Sequence, residues 1–290
     1  MFIQVKNLSK VFKKNLAVDK INFHIEKNKT IGLVPTMGAL HEGHISLIER
    51  ATIENEQVIV TIFVNPTQFE NPEEIKSYPQ NLNLDIQMIK KASPKSMIYA
   101  PKSNDLYDSK MKTYRYEFGI LEKIMEGKFR NGHFQGVATI VEKLLNNFSP
   151  TKAYFGEKDF QQLLIIKSLV NQKKISTSIV GCSTYRDSQG LALSSRNKLL
   201  NTKELKNAIF LIEQLKLAKS LWKRENSLGI TKIIEENFLN NTWLKLDYFD
   251  IRFENNLLKA KEKSDQKTRA FIAARIGKTR LIDNLLLNEY

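Results

Sequence analysis

Two histidines, His41 and His44, lie three residues apart in a segment that also contains Gly38 and Gly43. On a helical turn, residues three apart face the same way. A helix that begins at such a segment offers free backbone N–H groups and the positive end of its dipole. These features together predict a site for a phosphate ester. The segment is not a Walker A loop, because the pattern GxxxxGK followed by Ser or Thr occurs nowhere in the chain.

Further along the chain, other side chains also suit phosphate oxygens. Lys158 lies three residues past the end of an apolar run and carries a compact point charge. Ser194 and Ser195 place two hydroxyls beside the guanidinium of Arg196, a combination that binds phosphate well. Taken alone, Lys158 would be a surface cation and the serines would belong to a helix cap. Their shared position after predicted strands favours phosphate binding.

Three side-chain amides also follow predicted strands or open a helix: Asn65, Gln68 and Gln162. An amide donates and accepts hydrogen bonds at once, which suits a hydroxyl or a carboxylate on a small substrate. In isolation each amide would be a turn cap or a surface residue. The stretch 126–136 holds three glycines, a lysine, an arginine and a histidine. It predicts either a mobile cover over an anion or an ordinary surface loop.

The elements that position these groups alternate between residues 30 and 185. Apolar runs at 31–34, 58–64 and 153–155 are typical of buried parallel strands, a fourth strand is expected at 175–180, and amphipathic helical stripes lie between them. This alternation predicts an α/β fold, a parallel sheet with helices on both faces. Ligands of open α/β sheets bind at the carboxyl ends of strands, which is where the candidate groups fall.

The pattern changes after Arg186. A Lys- and Glu-rich helical region covers 202–239, and strand-like stretches follow at 244–253 and 269–276. We therefore expect a second, smaller α+β domain. The first 29 residues are the least clear part of the chain, where we expect an edge strand over 2–5 and a helix over 8–17.

Composition limits the class of protein. The chain has 290 residues, of which 42% are hydrophobic and 26% charged, as in globular proteins. Its single cysteine, Cys182, excludes an internal disulfide framework and favours a reducing cytoplasm. Apolar runs are too short to span a bilayer and no signal peptide is visible. We expect a cytoplasmic protein with no membrane partner.

The net charge of +14 permits binding to nucleic acid or to anionic small molecules. The basic residues are dispersed, without an Arg-rich run or an aromatic-interleaved stripe, so solvated lysine faces are favoured and no nucleic-acid partner is expected. An RNA-binding module is one alternative, which predicts RNA affinity that falls steeply with salt. Another is a nucleotidyltransferase that adenylylates a phosphate rather than a carboxylate.

Four segments carry a specific resemblance: 35–44, 63–69, 156–162 and 186–197. In order and spacing they resemble the signature segments of the pantothenate synthetase (pantoate–β-alanine ligase) family, within the wider HxGH nucleotidyltransferase superfamily. The resemblance runs from about residue 30 to 284. It implies a Rossmann-like domain over 1–184 that binds ATP and pantoate, a smaller C-terminal lid domain over 185–290, and a homodimer.

The resemblance also implies a two-step reaction. ATP and pantoate would form pantoyl adenylate and release pyrophosphate, and the amine of β-alanine would then give pantothenate and AMP. The implied partners are these small molecules. Mg²⁺ is expected with the ATP, because a divalent ion neutralises phosphate charge.

Roles for individual residues follow from the matched segments. His41 and His44 would stabilise charge on the phosphates, with His44 as proton donor, and Lys158 would steady the pentacovalent phosphorus. Gln68, Gln162 and Asn65 would bind substrate, with Gln68 meeting both pantoate and β-alanine. No direct metal ligand is assigned, although Asp85 is a weaker candidate near the metal. The residues expected to line the ATP site are Met37, Gly38, Ala39, Leu40, His41, Glu42, Gly43, His44, Gly156, Glu157, Lys158, Asp159, Tyr185, Leu193, Ser194, Ser195 and Arg196.

Overall fold

The computed structural model describes residues 3–12, 15–25, 30–69, 72–107 and 112–288, the first two of these ranges by their backbone alone. Within this part of the chain, no helix is both long enough and apolar enough to cross a membrane.

The N-terminal residues form an antiparallel strand pair, β1 (Ile3–Phe12) and β2 (Asn15–Ile25). The helix predicted over 8–17 is therefore wrong. In the sequence of β2, Ile21, Phe23 and Ile25 alternate with polar residues, a period of two that is typical of a strand. Residues 8–12 pair with this second strand instead of coiling on themselves.

A parallel sheet forms the centre of residues 30–185. Its strands are β3 (Ile31–Thr36), β4 (Gln57–Ile62), β5 (Met97–Tyr99), β6 (Lys152–Gly156) and β7 (Ser178–Cys182). The order is β5-β4-β3-β6-β7, and all neighbours run parallel. The chain moves outward from β3 to β5 and then returns to the other side of β3. This places a topological switch between β3 and β6.

Helices cover both faces of this sheet. Helices α1 (Glu42–Glu54) and α3 (Leu82–Ala92) pack on one face, and α6 (His133–Phe148) and α7 (Phe160–Lys173) pack on the other. Neighbouring residues of β3 point to opposite faces, so that Leu33 joins the α6/α7 core and Val34 joins the α1/α3 core. Short helices lie in the connections, namely α2 (Pro72–Ser77), α4 (Ser103–Leu106) and α5 (Met125–Phe129).

The C-terminal part has a hydrophobic core of its own, which begins at Leu191. It contains α8 (Thr202–Ala208), α9 (Phe210–Leu221) and α10 (Ser227–Leu239), followed by β8 (Leu244–Phe253), β9 (Thr268–Ile276) and β10 (Thr279–Leu286). The three strands form an antiparallel sheet in the order β10-β9-β8. Gly277 opens the two-residue turn between β9 and β10 with a φ of 54°, as a tight hairpin requires.

A small buried cluster joins the two parts. Met125 and Phe160 from the first part pack against Leu257 and Phe271 from the second. The fold class predicted from the sequence, a parallel sheet with helices on both faces and a smaller α+β part, is confirmed. Several boundaries differ from the prediction, including two by three residues or more. Strand β7 begins at 178 rather than 175. Helix α6 begins at His133, inside the predicted cover.

Candidate active site

A cavity of about 230 Å³ opens at the carboxyl ends of β3, β4 and β6. Thr36, Phe63 and Gly156 lie at or just after the ends of these strands and line it. The cavity therefore lies at the switch between β3 and β6, the place where open α/β sheets bind ligands. Loops that are far apart in the sequence share its wall.

A buried carboxylate holds the loop that follows β3. Asp85 of α3 is 2% exposed and accepts hydrogen bonds from the N–H groups of Ala39 (2.9 Å) and Leu40 (2.8 Å). Gly38 has a φ of 76°, and a Cβ at this position would lie 2.8 Å from Oδ2 of Asp85. The loop thus requires glycine here. Both oxygens of Asp85 are used within the protein, and its predicted place near a metal stays a prediction.

The rings of His41 and His44 each accept a backbone hydrogen bond at Nδ1. Nδ1 of His41, at the N-cap of α1, accepts from the N–H of Gly43 (3.2 Å). Nδ1 of His44 accepts from the N–H of His41 (3.3 Å). An accepting nitrogen carries no proton, so this network assigns the proton of each neutral ring to Nε2. Both rings line the cavity, with centroids 4.1 Å apart, and provide two Nε2–H donors.

Burial keeps both imidazoles neutral at pH 7. Burial, together with the charges of Lys158 and Lys198, lowers the pKa of His41 to about 4. Burial and the neighbouring His41 hold the pKa of His44 well below its ordinary value. The rings are therefore hydrogen-bond donors, and the positive charge beside them belongs to the two lysines.

Lys158 lies in a 3₁₀ turn, residues 157–159, between β6 and α7. Its side chain lines the cavity, with Nζ 3.9 Å from a carboxylate oxygen of Asp159. The backbone of this turn is held by the C-terminal sheet, because the amide of Asn284 donates to the carbonyl oxygens of Glu157 (2.9 Å) and Lys158 (2.8 Å). A residue of β10 thus supports the turn that carries the lysine.

The segment 193–196 reaches the same cavity and contacts the histidine loop. The hydroxyl of Ser195 donates to the carbonyl oxygen of Ala39 (3.1 Å). The ammonium of Lys198 donates to the carbonyl oxygen of Leu40 (3.2 Å). The two predicted phosphate-binding segments are thereby joined at two points.

Glu74 of α2 lies between two guanidinium groups of the cavity wall. Its carboxylate is 2.5 Å from Arg196 and 3.9 Å from Arg130. Burial lowers the pKa of Arg130, and the charge of Arg196 lowers it further. An anionic substrate would compete with Glu74 for both cations.

The side-chain amide of Asn65 forms hydrogen bonds with other protein groups through both its nitrogen and its oxygen. Its Nδ2 donates to Oε1 of Gln68 (3.3 Å) and to the carbonyl oxygen of Gly136 (3.1 Å). Its Oδ1 accepts from the hydroxyls of Thr67 (3.0 Å) and Tyr107 (2.7 Å). Asn65 lines the cavity, and its amide organises the turn that carries Gln68.

Gln68 and Gln162 line the same cavity. The carbonyl oxygen of Gln68 accepts from Nδ1 of His133 (2.8 Å), and Nε2 of this ring then accepts from Arg130 (3.1 Å). Burial and the charge of Arg130 lower the pKa of His133 to about 3. A neutral histidine therefore anchors the backbone of the Gln68 turn.

Most of the residues predicted for the site lie in the cavity wall, and their individual roles stay predictions. Those that do not line it are Gly38, Ala39, Leu40, Glu42 and Glu157. Those that do are Met37, His41, Gly43, His44, Asn65, Gln68, Gly156, Lys158, Asp159, Gln162, Tyr185, Leu193, Ser194, Ser195 and Arg196.

Comparisons with known proteins agree on one family. The family model described as Pantoate-beta-alanine ligase matches residues 8–286. The pantothenate synthetase of Christiangramia forsetii is 47% identical over 277 residues, which are 95% of this chain and 98% of that protein. That of Flavobacterium psychrophilum is 46% identical over 264 residues, 91% of this chain and 94% of that one. The chain belongs to the pantoate-beta-alanine ligase family.

Solved structures of this family have the same fold. The crystal structure of pantothenate synthetase from Thermus thermophilus is 36% identical with a TM-score of 0.85, and the match covers 90% of this chain and 94% of that one. The pantoate-beta-alanine ligase of Francisella tularensis, complexed with beta-gamma ATP and beta-alanine, is 38% identical with a TM-score of 0.71. That match covers 91% of this chain and 92% of the other.

Sequence reasoning missed several residues of this ligase site. Tyr78, Arg130 and His133 also line the cavity. Arg130 and His133 belong to the stretch 126–136, in which the basic residues were the only sequence feature that indicated a place in the site. Its interpretation as an ordinary surface loop is wrong, because α5 and the start of α6 occupy it and Glu126 and His133 are buried.

Few side chains of the cavity could bind a metal ion. Among the residues that the structure describes, no cluster of three or more His, Cys, Asp or Glu is arranged to hold a metal ion. Asp159 provides a carboxylate in the cavity wall. Mg²⁺ in ATP-dependent enzymes commonly binds to one or two carboxylates and to the substrate phosphates, so the residues present fit an ion that is bound mainly by the nucleotide.

Proposed function

We propose that this chain condenses pantoate with β-alanine through a pantoyl-adenylate intermediate at the cavity described above. As a member of its family, it is an AMP-forming pantoate–β-alanine ligase of pantothenate biosynthesis, with ATP as a substrate. In the first step, a carboxylate oxygen of pantoate attacks the α-phosphorus of ATP and pyrophosphate leaves. In the second, the amine of β-alanine attacks the acyl carbon, AMP leaves, and pantothenate is formed.

One observation carries the assignment of the reaction to this cavity. Two neutral imidazoles with Nε2–H donors and the side chain of Lys158 line the same small space as the amides of Gln68 and Gln162. The first set suits phosphate oxygens and the second suits a polar, uncharged part of a small substrate. A reaction that joins a nucleotide to such a substrate needs both sets side by side.

The histidines and the lysine act on the phosphate groups. Negative charge grows on the phosphate oxygens as the phosphorus becomes pentacovalent and pyrophosphate leaves. His41 and His44 donate Nε2–H hydrogen bonds to this charge, and Lys158 supplies a full positive charge. With a neutral ring, the predicted proton-donor role of His44 is the donation of this hydrogen bond to the departing pyrophosphate, without loss of the proton from the ring. Donors that are already in place when charge develops usually make the largest catalytic contribution, about 10²–10³ in rate for one donor.

The amides hold pantoate and receive β-alanine. Gln68 and Gln162 bind pantoate, and Gln68 also meets the incoming amine. Asn65 supports this part of the site through the turn that carries Gln68. The apolar side chains of Val137, Ile140 and Val141 line the same cavity. They limit the access of water, which would otherwise hydrolyse the adenylate before the amine attacks.

Mg²⁺ would enter with ATP. Asp159, an acidic residue of the cavity lining, is the carboxylate that would meet it. When bound, the ion neutralises phosphate charge. Protein side chains make all the other substrate contacts in this proposal.

We also propose two domains, a homodimer and a cytoplasmic location. The residues from 185 onward would form a lid domain over the ATP- and pantoate-binding domain of residues 1–184, and the enzyme would work as a homodimer in the cytoplasm. The C-terminal core supports the division, because it begins at Leu191. Light scattering of the purified protein would measure its mass in solution and test the dimer.

The reaction is tested by measuring pyrophosphate and AMP release from ATP, Mg²⁺ and pantoate, with and without β-alanine. We expect AMP only when both substrates are present. Pyrophosphate without AMP, under all conditions, would mean that the amine site does not work as proposed. AMP release that does not depend on β-alanine would mean that water, and not the amine, attacks the adenylate. Absence of both products from folded protein would reject the proposal.

A further inference from the structure

Asn284 of β10 contacts the catalytic turn although it lies in the C-terminal sheet. It is 2% exposed, and its Nδ2 donates to the carbonyl oxygens of Glu157 (2.9 Å) and Lys158 (2.8 Å). Its Oδ1 accepts from Nη1 of Arg269 (2.5 Å). Both amide hydrogens and the amide oxygen therefore have partners, and these partners fix the orientation of the amide.

The neighbouring residue connects a second segment of the site. Asp283 accepts two hydrogen bonds from the guanidinium of Arg186, 2.7 and 2.9 Å long. Arg186 also donates to the backbone carbonyl of Asn284 (3.1 Å). The segment that begins at Arg186 leads to the serines and arginine at 194–196. Two adjacent residues of β10 thus hold both the Lys158 turn and the root of this segment.

We infer that Asn284 is a positioning residue for Lys158, an inference that rests on the proposed role of Lys158 in adenylate formation. The two carbonyl oxygens that it binds belong to the peptide groups before and after the Cα of Lys158. Fixing both peptide planes fixes the direction in which the lysine side chain leaves the backbone. Without the amide, the carbonyl groups of Glu157 and Lys158, in a partly exposed turn, lose this protein partner. A displacement of about 1 Å at a catalytic group can cost about 10²-fold in rate.

The test compares Asn284→Ala with a matched control in the full-length protein. Asn288, beyond the end of the same strand, also bridges two carbonyl oxygens with its amide, those of Ser264 and Gln266. We expect Asn284→Ala to slow the first-turnover release of pyrophosphate about 10- to 100-fold while the KM for β-alanine stays unchanged. Asn288→Ala is expected to leave both unchanged. Asn284→Asp keeps the shape but loses the donating NH₂ group, and serves if the alanine variant does not fold.

A double-mutant comparison separates this inference from the proposed function. If Asn284 acts through Lys158, then Asn284→Ala adds no further loss to Lys158→Ala. Independent, multiplicative losses, or normal pyrophosphate release from Asn284→Ala, would overturn the positioning role alone. Normal release from Lys158→Ala itself would overturn the proposed role of Lys158, and the positioning role with it.

Discussion

The carboxylate of Glu126 binds the guanidinium of Arg280 with two hydrogen bonds, of 2.6 and 2.8 Å, between the two parts of the molecule. The hydroxyl of Tyr248 donates to the same carboxylate (2.9 Å). Burial by itself would raise the pKa of Glu126, but the hydrogen bonds and charge of Arg280 outweigh it and hold the pKa below its ordinary value. Glu126 is therefore ionised and paired at neutral pH.

Loss of this pair is expected to destabilise the protein. Glu126→Ala leaves the partly buried guanidinium of Arg280 with Asp247 as its remaining carboxylate partner. Because Arg280 keeps one carboxylate, we expect a loss of about 1–3 kcal/mol, less than the roughly 3–5 kcal/mol of a fully buried pair that loses its only partner. Urea denaturation measures this loss in the free energy of unfolding. The control is Arg275→Ala, whose half-exposed pair with Asp247 is worth less than about 1 kcal/mol. Equal losses in the two variants would show that the Glu126 pair contributes no more than a surface pair.

The lowered pKa of His41 predicts its protonation state over the working pH range. The pKa of about 4 in the folded protein lies below the ordinary value of 6.5, so the folded state binds fewer protons between these values. The stability that His41 contributes is full above pH 6.5 and is lost as the pH falls through 4. We expect the NMR signals of the His41 ring to stay constant from pH 8 to about 6.

Lys198 supplies the matching variant for this titration. Its charge is one of the causes that lower the pKa of His41. In Lys198→Ala, we therefore expect the midpoint of the His41 titration to move upward, toward 6.5. A midpoint near 6.5 in the unaltered protein would contradict the neutral, donating imidazole.

The sequence predicted the sheet well because its strands are buried on both faces. The run from Val58 to Ile62 is short and consists of β-branched residues, which favours a buried parallel strand over a helix. The first 29 residues offered no such run. In that region, residues 8–12 form a strand because they pair with β2. The sequence of one segment does not show which other segment it will pair with.

The site was predicted where chemistry is local, and missed where it depends on distant contacts. The spacing of His41 and His44 within one loop indicates a functional site. The residues that hold this site in shape do not: Asp85 lies 45 residues from the N–H of Leu40 that it binds, and Asn284 lies 126 residues from Lys158. Asn65 shows a third case: its role as a substrate ligand stays a prediction, while its contacts with Gly136 and Tyr107 could not be predicted from its type.

Asp85→Asn distinguishes support of the histidine loop from metal binding. The asparagine offers one oxygen where the carboxylate offers two, so the N–H of Ala39 or Leu40 loses its acceptor. We expect a loss of about 1–3 kcal/mol in the free energy of unfolding. The rate of pyrophosphate release should fall, while the Mg²⁺ concentration that gives the half-maximal rate stays the same. A rise of that concentration by tenfold or more would make Asp85 a metal ligand instead.

Gln68→Ala and Asn65→Ala should differ in what they damage. Gln68 lines the cavity, where its Oε1 accepts from Asn65 and its Nε2 donates to Sδ of Met37. We expect its removal to raise the KM for pantoate roughly 10- to 100-fold, about 1.4–2.8 kcal/mol of binding, and to cost less stability than Asn65→Ala because fewer protein groups lose a partner. Asn65→Ala leaves partners of a fully used, buried amide unpaired, and should lower the free energy of unfolding by about 1–3 kcal/mol as well as raise this KM.

Gln172 of α7 provides the control for these two variants. Its amide donates to the carbonyl oxygen of Glu117 at an exposed position and does not line the cavity. Gln172→Ala is expected to leave the KM for pantoate unchanged. An unchanged KM in Gln68→Ala as well would remove Gln68 from substrate binding. A raised KM in Asn65→Ala without any loss of stability would mean that Asn65 contacts the substrate directly.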